Sequence, residues 1–134
     1  MSEVLIGSWR LISAIQSRDG EKSHHRGENP VGQIIYAADG RMSATIMNPT
    51  WIDNLEQKMN GPEEFMAYAG PWTLHGDVVH HHLEICSWPM LIGKTLKRSF
   101  EIRSENEVFL RSIPITSKSG ATYVQELLWR RFGT

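Results

Sequence analysis

Hydrophobic and polar positions alternate along this chain in short runs separated by turn signals. Residues 4–16 (VLIGSWRLISAIQ) are apolar and β-favouring and run out at Arg18-Asp19-Gly20, where Asp-Gly marks a turn. Residues 20–31 are polar, hold His24, His25 and Pro30, and read as a loop. Residues 32–38 and 41–47 flank Asp39-Gly40 and predict the clearest β-hairpin. The pattern breaks over 48–69: Pro49 stops the strand, and Asn60-Gly61 followed by Pro62, Glu63 and Glu64 predicts a helix start. Phe65, Met66 and Tyr68 follow, and Gly70 ends this short helix; a second around Trp51 to Met59 is left open. Strands resume over 71–75, 78–86, 94–103, 107–113 and 121–132. The expectation is an all-β chain of eight strands with a short helical segment after the third, closing as a barrel or sandwich.

Period two assigns the strand faces. Val79, Leu83 and Ile85 predict the inward face of 78–86 and carry His81 in with them, leaving His80, His82 and Glu84 outside. Leu96, Phe100 and Ile102 carry Arg98 inward in the same way. Trp72 and Leu74 share a face, as do Tyr123, Leu127, Trp129 and Arg131, although Val124 and Leu128 oppose the last set. An interior of Trp72, Met42, Leu96, Phe100 and Ile85 thus acquires two polar groups. A buried Arg98 needs a partner, whether carboxylate, carbonyl or ligand, or else it reaches the rim.

Composition narrows the classes. The 134 residues suit one domain, 1–134. A formal charge of −1 with mixed signs argues against nucleic acid or an anionic membrane surface as a partner. The single cysteine, Cys86, forms no internal disulfide and fits a reducing compartment. The N-terminus carries no signal-peptide pattern, and no stretch nears the ~20 apolar residues of a membrane helix. The expectation is a cytoplasmic protein, with a homodimer left open.

The motifs GSWRLIS at 7–13, NPVGQIIYAADGRMSA at 29–44, AYAGPWTLHGDVVHHHLEI at 67–85 and LLWRRF at 127–132 resemble, in the same order, the small lipocalin-like domain family. That family belongs to the calycin group of eight-stranded barrels. The resemblance implies that Trp9, after Gly7, plugs one barrel end under Arg131, with Arg130 as the other candidate. It also matches a family His-His pair to His81 and His82, and an aromatic-Pro pair to Trp88-Pro89. His80 as a third histidine departs from the family pattern. So do Met90 and Leu91, which make the mouth loop more apolar and imply a more lipophilic ligand.

Several chemistries can be weighed on these residues. Consecutive strand histidines diverge, so they do not converge on a metal, and no metal site is expected. No nucleophile elbow or phosphate loop is present, and Cys86 has no clear basic neighbour. An interior His81 suits general acid/base work, with Arg98 or Tyr36 completing a proton relay or holding an oxyanion. A core histidine bonded to a carbonyl is the plainer alternative. Met42, Met47, Trp51, Tyr68, Trp72, Trp88 and Phe100 are the expected ligand-binding wall, suited to an aromatic or polycyclic molecule. The resemblance implies a cofactor-free enzyme of specialised metabolism acting on a small lipophilic substrate by isomerisation, cyclisation, dehydration or a pericyclic step. The alternative is a non-catalytic carrier of such a molecule.

Overall fold

In a computed structural model, residues 4–50 and 65–134 are described. Eleven strands follow in order: β1 (Gly7–Arg18), β2 (Glu21–Ser23), β3 (Val31–Tyr36), β4 (Arg41–Met47), β5 (Phe65–His75), β6 (Val78–His82), β7 (Ile85–Cys86), β8 (Thr95–Ser104), β9 (Glu107–Ser112), β10 (Ile115–Thr116) and β11 (Thr122–Arg131). Eight of them are long and antiparallel, in the order β11-β9-β8-β6-β5-β4-β3-β1. β1 then pairs with β11 from Trp9↔Arg131 to Arg18↔Tyr123, which closes the sheet into an eight-stranded barrel. Closure satisfies both edges of the sheet and turns alternate side chains inward. β2, β7 and β10 are short additions at the rims.

Three expectations are corrected. The predicted helix ending at Gly70 is not present over its described part: Phe65, Met66 and Tyr68 open strand β5, which pairs with β4 from Arg41↔Pro71 to Met47↔Phe65. Met66, Tyr68, Gly70 and Trp72 are buried while Phe65, Ala67, Ala69 and Pro71 are half-buried. That period of two serves the sheet, and ladder pairing overrides the local helix signals. The remainder of the helical prediction, 51–64, lies outside the described residues.

The predicted strand 78–86 is interrupted. β6 ends at His82; the Leu83 N–H then bonds the Lys94 carbonyl, the Glu84 N–H bonds the Ala69 carbonyl, and β7 re-pairs with β5 at Tyr68 and Ala69. The crossing backbone passes so close to Gly70 that a Cβ there would fall on the His82 carbonyl oxygen. The interruption shifts the faces, so Leu83 is buried but Ile85 is 64% exposed. Ile102 is likewise exposed rather than inward, beside an irregularity in the β8–β9 register between Ile102 and Ser104.

The core runs through the barrel from Leu5, Trp9 and Trp129 to Tyr36, Met42, Val79 and Leu110. One end is sealed. The Trp9 indole N–H donates to the Leu5 carbonyl at 2.9 Å. The Arg131 guanidinium lies 4.1 Å from the Trp9 ring centroid. It also donates to the carbonyls of Ile6 (2.8 Å), Val4 (3.0 Å) and Glu105 (3.2 Å). A cation held over an indole away from water is worth roughly 1–2 kcal/mol beyond the area it covers. Gly7 is required here: its φ is +126°, and a Cβ would come within 2.6 Å of the guanidinium. Arg130 points the other way, pairing with Glu107 at 2.6 Å.

Candidate functional site

Inside the barrel, and away from the Trp9 floor, lies a cavity of about 220 Å³. An apolar cavity of about 150 Å³ accepts benzene, so this volume suits a monocyclic or small bicyclic body. The wall is apolar along Ile34, Ile46, Met66, Leu110 and Leu127, with Leu91 from the 3-10 turn Pro89–Leu91. Polar side chains enter it at His81, Tyr68, Arg98 and Ser112, and at Gln16, Gln125 and Tyr123. His25 and Arg26 enter from the loop between β2 and β3.

Strand pairing builds the polar wall. His81 on β6 stands between Trp72 on β5 and Leu96 on β8, and alternation turns its ring inward, where it is 1% exposed. Tyr68 comes from β5, next to Ala44, and Tyr36 from β3, opposite Met42. Their hydroxyls bracket the imidazole: Tyr36 Oη lies 2.6 Å from Nε2 and Tyr68 Oη lies 3.2 Å from Nδ1. Trp72 packs edge-on against Tyr36 with ring centroids 5.0 Å apart and anchors its own N–H on the Ala37 carbonyl.

The protons of this triplet can be assigned from the network. Burial, reinforced by the positive charge of Arg98, pushes His81 down to about 3, so the ring is neutral with one N–H and one lone pair. The Tyr36 hydroxyl has no other hydrogen-bond partner among the described residues and does not line the cavity. Leaving its proton unbonded would cost about 1–3 kcal/mol. Tyr36 therefore donates to Nε2, and Nδ1–H donates to the Tyr68 oxygen. The Tyr68 hydroxyl proton is then free, and Tyr68 does line the cavity. Burial raises both phenols above their ordinary value, and the positive charge of Arg98 opposes the rise at each.

The other expected site residues divide. Arg98 lines the cavity, and its only hydrogen bond among the described residues is to the Lys97 carbonyl at 3.2 Å. It makes no ion pair there. Met42 and Trp72 are buried core behind Tyr36, and Phe100 and Trp88 are half-buried against that core; none of the four is among the described lining residues. Met47 borders a groove on the outer face with Phe65 and Phe132. Trp51 lies outside the described residues. The neighbouring histidines serve the outer surface: His80 stacks on His75 at 3.9 Å, and His82 bridges Thr73 and Thr95 at 3.0 Å each. Among the described residues, no three His, Cys, Asp or Glu side chains are grouped to hold a metal ion, and no helix is long and apolar enough to cross a membrane.

Sequence reasoning did not single out five lining residues: Gln16, His25, Arg26, Ser112 and Gln125. The inward phase of β11 was legible from Leu127 and Trp129, and extending it by two residues places Gln125. His25 and Arg26 sit in a segment with no periodicity to extend.

A search of curated proteins finds no match. A solved structure of a redesigned β-barrel is similar over 97% of this chain and 93% of its own, at 14% identity and a TM-score of 0.46. The model of the lipocalin-like domain matches residues 6–132, nearly the whole length, and the chain accordingly belongs to the lipocalin-like domain family.

Proposed function

We propose that the barrel encloses a small lipophilic molecule and acts on it as a cofactor-independent enzyme, with Tyr68 as the hydrogen-bond and proton donor. A lipocalin-like barrel with an enclosed cavity suggests small-molecule binding. One observation carries the step to catalysis. His81 is bonded on both nitrogens by tyrosines, and only one of these, Tyr68, faces the cavity.

In this reading His81 is a positioning residue. Its Nδ1–H holds the Tyr68 oxygen and stabilises that oxygen as negative charge grows on it. Tyr68 presents its proton to a substrate carbonyl or hydroxyl oxygen. Arg98 supplies positive charge beside the same wall. Such a donor polarises a substrate carbonyl or hydroxyl oxygen toward isomerisation, cyclisation or dehydration, while the apolar wall selects the reactive conformer. Holding that conformer would assist a pericyclic step as well.

The test is incubation with a panel of monocyclic and bicyclic carbonyl compounds, with products read by mass spectrometry. Tyr68→Phe is expected to lower turnover by about 10²–10³-fold, the usual effect of deleting one donor to a developing oxyanion, while binding survives. Unchanged turnover in Tyr68→Phe overturns the assignment.

A non-catalytic binder is the second reading. It is favoured by the neutrality of His81, which leaves the cavity without a group that titrates near pH 7 on this wall. Tight binding across the panel with no product from any compound would support it.

A further inference from the structure

The polar groups of the cavity are unequal in kind. Among its described lining residues there are two arginines, Arg26 and Arg98, and no Asp or Glu. Arg98 on β8 is register partner to Ser112 on β9, and both side chains line the cavity. Ser112 is 3% exposed, and its oxygen accepts the Gln125 backbone N–H at 2.8 Å. Its hydroxyl proton donates to nothing among the described residues. Tyr68 likewise has a hydroxyl proton to give. Among the described residues this wall therefore offers a guanidinium without an ion pair and two unclaimed O–H donors, with no anionic side chain to meet them. A cavity guanidinium without a counter-charge among the described residues can take a bound anion as its partner.

We propose that the ligand is an organic acid: an apolar monocyclic or bicyclic body bearing one carboxylate, held at the Arg98–Ser112 pair with Tyr68 beside it. This rests on the reading that the cavity holds a small molecule, and it names the class. The body lies along Ile34, Met66, Leu110 and Leu127, and the carboxylate takes the guanidinium as its counter-ion and the Ser112 hydroxyl as a donor. Planar guanidinium matches carboxylate geometry better than an ammonium does.

The experiment compares trans-cinnamate with cinnamyl alcohol, which has nearly the same body and no charge. Binding is followed by calorimetry to the wild-type chain, to Arg98→Gln and to Leu127→Trp, each checked for an intact melting transition. The wild type is expected to bind cinnamate at least about tenfold more tightly than the alcohol. Arg98→Gln should reduce that preference to within about twofold, mainly by weakening cinnamate. Leu127→Trp, which fills the cavity, should abolish both. Equal or better binding of the alcohol to the wild type overturns the organic-acid proposal and leaves the cavity reading standing. So does a preference that survives Arg98→Gln. Binding of neither compound, or binding that survives Leu127→Trp, overturns the cavity reading and this proposal with it. The wild-type comparison decides the matter even if the variants fail to fold.

Discussion

Two regions of this barrel use the same residue types to opposite ends. At the floor, Arg131 sits over Trp9 and donates to three backbone carbonyls, and the Trp9 N–H is bonded to Leu5. The Arg131 guanidinium and the Trp9 N–H both have protein partners there. On the cavity wall, among the described residues, Arg98 makes one long bond to its neighbour's carbonyl, and Tyr68 and Ser112 retain unclaimed protons. A saturated arginine is part of the structure. An arginine with one carbonyl bond in a cavity keeps donors that Arg131, in its structural role, does not. The difference lies in what surrounds each side chain.

The comparison breaks first at the floor. Trp9→Ala should lower unfolding free energy by about 3–5 kcal/mol, as for other fully buried large aromatics, measured by urea denaturation. A loss below about 1 kcal/mol would show that the ring does not seal the barrel.

Acid should act on the wall and spare the floor. Unfolded, His81 takes up a proton below about pH 6.5; folded, it resists until about 3. Stability is therefore full above pH 6.5 and falls as pH drops through that window, at up to about 1.4 kcal/mol per unit. His25, held at about 4 by burial and by Arg26, adds to the slope in its upper part. His81→Gln should flatten the pH dependence of the melting temperature between pH 6 and 4, and an unchanged slope would contradict the buried neutral imidazole.

The two tyrosines should separate as well. Tyr36→Phe strands Nε2 in a closed setting and should cost about 1–3 kcal/mol. Tyr68→Phe should cost less, since cavity water can take the place of its hydroxyl. The reverse order would assign the free proton to Tyr36.

The smallest effects sharpen the contrast between the arginines. Arg131→Gln should lose about 1–2 kcal/mol through its carbonyl bonds and its stacking. Arg98→Gln should change stability by less than about 0.5 kcal/mol. An Arg98 as costly to replace as Arg131 would mean it holds the wall together.

Much of this was legible in the residues. The Asp39-Gly40 hairpin, the alternation that sends His81 inward and the Trp9–Arg131 pair all follow from local rules or from the motifs of the resemblance, since a two-residue period and a turn signal need no distant partner. The 65–69 segment was misread because Pro62, Glu63 and Glu64 speak for a helix locally, whereas β4 supplies a ladder that only the fold brings near. Ile85 was misread because an interruption at Leu83–Glu84 depends on Gly70, thirteen residues earlier, leaving room for the crossing backbone.

The sequence by itself determined an all-β chain, its closing strand pair and one inward histidine, because pleat and turn chemistry are short-range. Alternation also turned Arg98 inward; only the tertiary structure decided that His81 is held between Tyr36 and Tyr68, and that Arg98 stands beside Ser112. Those pairings join residues from β3, β5, β6, β8 and β9, and whether a polar group is satisfied depends on neighbours that no local pattern encodes.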